Sequence, residues 1–75
     1  MILAFVFINT EMESMEETLN ALNKISNVKE AYMVYGVYDI VAKVEAESMT
    51  KLIKVVGNIR KIDTITSSQT LTVMT

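Results

Sequence analysis

The chain has 75 residues and a mass of 8.4 kDa, enough for one small domain and too little for two independently folded ones. It contains no cysteine, no histidine and only two glycines, which argues against a disulfide, a metal centre, a glycine-rich phosphate loop and a bound cofactor. The net charge of −2 argues against unaided binding to nucleic acid or to an anionic membrane.

The apolar content is high for a small monomer, with 51% hydrophobic residues and a mean hydropathy of +0.32. The opening segment MILAFVFI is apolar over about eight residues, whereas a membrane span needs about 20. It also lacks the basic start and the small-residue cleavage site of a secretory signal. We therefore expect a cytoplasmic, soluble homo-oligomer whose subunit interface takes up the excess apolar surface.

The first predicted element is a strand over residues 2–8. Leu3, Phe5 and Phe7 point to one of its faces. The other face is equally apolar and carries Ile2, Ala4, Val6 and Ile8. Both faces should therefore be covered, one of them by helices of the same chain and the other by a different partner.

A helix is predicted after this strand. Thr10 and Ser14 each precede a glutamate by three residues, which is the capping-box pattern of a helix start. The helix is expected to end near Ser26 and Asn27. Its buried stripe is predicted to consist of Met15, Leu19, Leu22 and Ile25.

A hairpin, a second helix and a last strand complete the prediction. Residues 28–35 and 38–45 are typical of two antiparallel strands around a turn at Gly36 and Val37. Ser48 is placed to cap the second helix, and residues 64–74 form a final strand rich in threonine and serine. The buried stripe of the second helix is predicted as Met49, Leu52, Ile53, Val56 and Ile59.

The predicted element order is therefore β-α-β-β-α-β. Right-handed crossovers place both helices on one face of a four-stranded antiparallel sheet with strand order 4-1-3-2, which is a ferredoxin-like α+β fold. The other face stays bare and carries Leu3, Phe5 and Phe7 or their neighbours. An apolar open sheet is most simply buried against a second copy, so we expect dimers that join through these three residues.

Four segments of the chain resemble the effector-binding domain, or RAM domain, of the Lrp/AsnC (feast/famine) transcription regulators: AFVFINT, LNKISNVKEAYMVYG, GVYDIVAKVEAES and ITSSQTLTVM. The most specific motif is Gly-x-Tyr-Asp, formed by Gly36, Tyr38 and Asp39 and followed directly by an apolar strand. Ser68-Gln69-Thr70 stands where that family usually has Thr-x-Thr. The resemblance extends over essentially the full length.

The sequence also departs from that family. Its members commonly have Pro-Gly before the second and fourth strands, where this chain has Ser26-Asn27 and Asp63-Thr64. The N-terminal helix-turn-helix of the family has no counterpart in these 75 residues. We therefore expect a single, stand-alone sensing domain over residues 1–75 that does not read DNA directly.

The resemblance implies a non-enzymatic amino-acid sensor. In that family the domains dimerise through their sheets, the dimers assemble into rings that are frequently octamers, and a free amino acid binds between dimers. The implied ligand-binding residues are Gly36, Val37, Tyr38, Asp39, Thr66, Ser67, Ser68 and Thr70. Such a chain would modulate transcription indirectly, by co-assembly with full-length Lrp/AsnC regulators.

The residue types at this site suit an amino acid. The Asp39 carboxylate can accept the ammonium group by charge-assisted hydrogen bonds, and amides freed in a glycine turn can receive the carboxylate. In the plainer interpretation, Gly36 only supplies a positive φ, Asp39 only binds turn amides, and the hydroxyl row is solvated strand surface.

Two other functions are also compatible with the sequence. A small cofactor-free enzyme on a dimeric barrel of this fold would need a general base, for which Asp39, Glu30, Glu45 and the tyrosines are the candidates. A raised carboxyl pKa and an enclosed cavity would favour it.

The second alternative is RNA binding by the sheet. It would use Phe5 and Phe7 as stacking residues. The third strand offers only Val41 and Lys43 beside them, and the net charge is acidic, so this function is disfavoured.

Overall fold

The computed structural model describes residues 1–74, and its elements follow the predicted order. They are β1 (Ile2–Thr10), α1 (Met15–Asn23), β2 (Val28–Met33), β3 (Ile40–Ala46), α2 (Met49–Arg60) and β4 (Ile65–Thr72). The predicted ferredoxin-like βαββαβ fold is thereby confirmed. Within residues 1–74, neither helix is long and apolar enough to cross a membrane.

The four strands form one antiparallel sheet in the order β2-β3-β1-β4, which is the predicted order read from its other edge. β1 and β3 are central, so β2 and β4 are the edge strands. In this register Val6 of β1 stands opposite Ala42 of β3 and Thr70 of β4. The pairing of β1 with β4 shifts by a bulge between Asn9 and Thr10.

The hydrophobic core lies between one face of the sheet and the two helices. The strand residues that are at most 1% exposed all have the same parity along their strands: Ala4, Val6, Ile8, Ile40, Ala42, Val44 and Ala46. Leu22 of α1 and Leu52 and Ile59 of α2 pack against them. Burying a large aliphatic side chain contributes about 1.5–3 kcal/mol, so these layers hold the fold together.

The start of α1 differs from the prediction. Ser14 is at the N-cap position, but its side chain makes no capping hydrogen bond, because its backbone (φ −107°, ψ 8°) is not extended as that geometry requires. The Ser14 carbonyl instead accepts from the Thr18 hydroxyl at 2.7 Å. Thr10 belongs to β1, and the helix ends at Asn23. The N-cap is therefore Ser14, one of the two predicted caps, but the predicted capping hydrogen bond is not formed.

The hairpin is more open than predicted. β2 ends at Met33 and β3 begins at Ile40, so residues 34–39 form a loop where a tight turn was expected. The backbone N–H of Val34 donates to the Asp39 carbonyl at 2.9 Å and closes this loop at its base. Tyr38 and Asp39 consequently lie in the loop and not in the strand.

α2 is capped as predicted, because the Ser48 hydroxyl accepts from the backbone N–H of Lys51 at 3.2 Å. Its buried stripe is narrower than predicted and consists of Leu52, Val55 and Ile59. Met49 and Ile53, which were expected in that stripe, are 47% and 67% exposed. They lie on the flank of α2 next to β4, where the sheet ends and no further strand covers them.

The opposite face of the sheet, called here the open sheet face, carries no helix. Leu3, Phe5 and Phe7 of β1 are half-buried on it. Tyr32 of β2 and Leu71 of β4 lie on the same face and are 56% and 50% exposed. One chain therefore leaves partly exposed apolar side chains on three strands of this face.

Candidate functional site

The loop that carries the Gly-x-Tyr-Asp motif, residues 36–39, lies beside the end of β1. Gly36 has a φ of +131°, which L side chains rarely adopt. Within the described structure, no neighbouring atom lies within 4 Å of a Cβ placed there. The need for glycine is therefore conformational and not steric. The next residue, Val37, is 83% exposed.

Asp39 is fixed to the end of β1 by two hydrogen bonds. Its backbone N–H donates to the Ile8 carbonyl at 2.9 Å, and its Oδ2 accepts from the backbone N–H of Thr10 at 2.9 Å. Its Oδ1 accepts no hydrogen bond from residues 1–74. The carboxylate therefore binds a backbone amide, as the plainer interpretation has it, and still offers one oxygen to a ligand.

Tyr38 joins the loop to the open sheet face. Its ring centroid lies 5.2 Å from that of Phe7, with the planes tilted by 46°. Its hydroxyl donates to Gln69 Oε1 at 2.7 Å. Aromatic pairs of this kind contribute about 0.5–1.5 kcal/mol beyond their area, so the position of the loop depends on residues of the sheet.

A cavity of about 250 Å³ adjoins Asp39, between this loop and the turn that leads to α1. It is lined by Thr10, Glu11, Met12, Glu13, Met15 and Asp39. Three carboxylates make its potential negative, which suits an ammonium group, and two methionines supply an apolar wall. Glu13 has a φ of 74°, which costs a side-chain-bearing residue about 1–2 kcal/mol, so the turn that shapes the cavity is strained.

The predicted hydroxyl residues of β4 divide between the two faces of the sheet. Ser67 stands opposite Asn9, whose Nδ2 donates to the Ser67 Oγ at 3.2 Å. Thr66 is exposed at the bulge, while Ser68 and Thr70 lie on the helix side of the sheet. Within one chain, Ser68 and Thr70 are therefore not brought to the Gly-x-Tyr-Asp loop.

Glu30, a candidate general base, is held in its ionised form. Its carboxylate accepts from the Tyr32 hydroxyl and pairs with Lys43, whose Nζ lies 3.4 Å from Oε2. These two partners, Tyr32 first, hold the pKa of Glu30 below its ordinary range, and Glu30 in turn raises the pKa of Tyr32. A lowered pKa makes a carboxylate a weaker base, which disfavours Glu30 in that role.

The same ion pair bears on RNA binding. Lys43 stands directly opposite Phe5 on the open sheet face, and its pairing with Glu30 offsets the charge that a phosphate would need. In the part of the chain that the structure describes, no three His, Cys, Asp or Glu side chains gather as metal ligands.

Two contacts of the site were not predicted from the sequence. Gln69 holds Tyr38 in place, and the backbone amide of Thr10 holds Asp39. Strand alternation alone could have shown that Gln69 faces away from Ser68 and Thr70. That it meets Tyr38 depends on the β1–β4 register, in which Gln69 stands opposite Phe7.

The sequence profile described as the Lrp/AsnC ligand binding domain matches residues 3–75. The crystal structure of FFRP-DM1 is 33% identical, with a TM-score of 0.94 and a match that covers 99% of this chain and 100% of that chain. AsnC from E. coli is also 33% identical, with a TM-score of 0.92, over 99% of this chain and 51% of AsnC. Among curated proteins, nothing matches significantly.

A more distant structure is the transcriptional regulator NMB0573 from Neisseria meningitidis, solved as a complex with L-Met. It is 16% identical, with a TM-score of 0.86, over 99% of this chain and 50% of that one. At this identity the likeness shows the fold alone.

Proposed function

The chain belongs to the Lrp/AsnC ligand-binding domain family, a family of regulatory effector-binding modules, and we propose that it senses a free amino acid at the Gly-x-Tyr-Asp loop. The observation that carries this proposal is the hydrogen bonding and the surroundings of the Asp39 carboxylate. One carboxylate oxygen is fixed to Thr10, and the residue lines a negative cavity with an apolar wall.

The loop supplies complementary groups for both ends of an amino acid. The ammonium group binds the Asp39 carboxylate, whose Oδ1 has no partner in residues 1–74. The carboxylate binds the loop amides of Gly36, Val37 and Tyr38, which donate no hydrogen bond to residues 1–74. The side chain of the ligand then contacts the exposed Val37 and groups from a neighbouring subunit.

The second part of the proposal couples this site to assembly. Leu3, Phe5 and Phe7 pair with a second copy across the open sheet face, and the ligand binds between such dimers. Tyr38 contacts Phe7 directly, so the loop is positioned by the same residues that form the dimer. A ligand that binds one assembly better than another shifts the population toward it.

The third part concerns the output. The effector-binding domain acts in the cytoplasm by co-assembling with full-length Lrp/AsnC regulators. One relative supports this part of the proposal, since the match to AsnC spans about half of that regulator. The regulator of the same fold that was solved with L-Met supports an amino acid as the ligand.

Calorimetric titration with each of the twenty amino acids tests the ligand. Asp39→Asn removes the charge but keeps an oxygen that accepts from the Thr10 amide, so the fold should persist. We expect it to weaken binding about tenfold or more. Asp63→Asn, at the exposed second aspartate of the chain, is the matched control and should bind like the wild type.

Two results would contradict the proposal. The first is an absence of binding by any of the twenty amino acids to the wild type. The second is wild-type affinity in Asp39→Asn, because the ammonium group would then have a different acceptor.

A further inference from the structure

A groove of about 420 Å³ lies between the outer flank of α2 and the edge strand β4, on the helix side of the sheet. It is distinct from the Gly-x-Tyr-Asp loop, since it borders Thr70 and Thr72, which pair with Val6 and Ala4, whereas Asp39 meets β1 at Ile8 and Thr10. Its wall is apolar, formed by Met49, Leu52, Ile53 and Val56.

The groove exists because neither side fills it. The residues that β4 presents to the helices here are Thr70 and Thr72, whose side chains are too small to reach α2. On the helix side, Gly57 leaves a gap: no atom of the described structure lies within 4 Å of a Cβ placed there. Glycine is a poor helix former, and packing does not require it at this position.

Two polar groups in the groove have no partner. The Thr70 hydroxyl is shut off from solvent and makes no hydrogen bond within residues 1–74. Arg60 lines the groove at the end of α2 and forms no salt bridge within that part of the chain. A buried unpaired hydroxyl is uncommon, and a guanidinium is suited to a carboxylate.

From these observations we infer that the α2–β4 groove binds a small monocarboxylate with a branched or linear apolar chain. The carboxylate pairs with Arg60, and the chain lies against Ile53 and Val56 above Gly57. Among residues 1–74, no acidic side chain lines the groove, so no carboxylate there would offset the charge of an ammonium group. The ligand is therefore a carboxylic acid without an amino group, such as a fatty acid or a deaminated amino acid.

The inference is independent of the proposed amino-acid site, and the test separates the two. Amide shifts in NMR spectra of the ¹⁵N-labelled chain are followed during titration with isocaproate, ketoisocaproate and L-leucine, which share one carbon skeleton. Both acids should bind saturably, with a dissociation constant on the order of 1 mM or tighter, and shift the amides of Ile53, Gly57 and Thr70. L-leucine should leave these amides in place. Tighter binding of ketoisocaproate would identify a deaminated amino acid as the natural class, and equal binding a fatty acid.

Variants assign the contacts. Arg60→Gln should weaken binding of both acids about tenfold or more, whereas Lys54→Gln, which removes a charge from the same helix outside the groove, should not. Gly57→Leu should abolish binding by filling the gap. Thr70→Val should raise the Tm of the ligand-free chain, since it removes an unpaired buried hydroxyl.

The inference is overturned if neither acid shifts the groove amides at about 10 mM, or if L-leucine shifts them equally. Equal weakening by Arg60→Gln and Lys54→Gln would also overturn it, because the attraction would then be unspecific. Asp39→Asn should leave this binding unchanged, so a loss of the amino-acid site and a loss of the groove site give different patterns.

Discussion

The two faces of the sheet are formed by alternating residues of the same strands, yet only one is complete within a chain. Val6 and Ile8 are fully buried beneath the helices, whereas Leu3, Phe5 and Phe7 on the same strand stay half-buried. The sequence is apolar on both sides, so the difference comes from the helices, which both pack on one face. One face thus stabilises the fold, and the other is available for association.

The largest expected effect is on the covered face. Ile8→Ala removes a side chain with 0% exposure and should lower the free energy of unfolding by about 2–5 kcal/mol. Urea denaturation followed by circular dichroism measures this loss. Phe5→Ala, on the open face of the same strand, should destabilise the isolated subunit less. Equal losses at low protein concentration would contradict the distinction between the two faces.

The second effect is on association through the open sheet face. Phe5→Lys places a charge at the centre of the proposed dimer interface and should weaken dimerisation at least about a hundredfold, because an unpaired buried charge is costly. Sedimentation velocity measures the shift to monomer. Ile53→Lys is the matched control, since Ile53 is exposed on the helix side, and it should leave the mass unchanged. A dimeric Phe5→Lys variant would place the interface elsewhere.

A third effect concerns the link between the open sheet face and the loop. Tyr38→Phe keeps the ring beside Phe7 but removes the hydrogen bond to Gln69, and should cost about 0.5–1.5 kcal/mol of unfolding free energy. Thermal denaturation measures it. Tyr35→Phe, at a fully exposed tyrosine, should change nothing. Similar Tm values for both variants would show that the Tyr38 hydroxyl does not hold the loop.

The smallest expected effect is pH dependence from the ion pair on the open sheet face. The hydrogen bond from Tyr32 and the charge of Lys43 lower the pKa of Glu30, so the folded state binds its proton less readily than the unfolded state. The resulting stabilisation is fully present above the ordinary glutamate pKa of about 4.3 and is lost as the pH falls through the lowered value.

Urea midpoints between about pH 6 and pH 3 test this effect, which is small in the isolated subunit because the pair is exposed there. Glu30→Gln should slightly reduce the loss of stability that occurs as the pH falls. Glu16→Gln, on the exposed side of α1, is the control and should show the same loss as the wild type. A stability that rises as the pH falls through this window would contradict the sign.

Periodicity in the sequence was sufficient for the sheet but not for its ends and loops. The alternation in β1 predicted which residues share a face with Val6, and the element order predicted the strand order, because few topologies connect these elements. The capping box at Ser14 failed because backbone geometry, which the pattern does not encode, decides whether the hydroxyl caps. Ile53 matched the helical period but lies beyond the edge of the sheet.

The candidate site could likewise be predicted only where its features are local to one segment of the sequence. Gly36 and Asp39 are local features of one segment, and their positive φ and carboxylate could be predicted from the motif. The roles of Gln69 and of the Thr10 amide depend on strand register and loop length, which are tertiary properties. Thr70, predicted at the amino-acid site, lies on the helix side of the sheet and borders the α2–β4 groove.

Light scattering would show directly whether amino-acid binding is coupled to assembly through the open sheet face. It measures the solution mass of the wild type with and without each of the twenty amino acids. The account predicts at least a dimer of the 8.4 kDa chain, with a mass that rises for particular amino acids and does not rise in Asp39→Asn. A monomer under all conditions would contradict both the pairing of the open sheet faces and the coupling of the site to assembly.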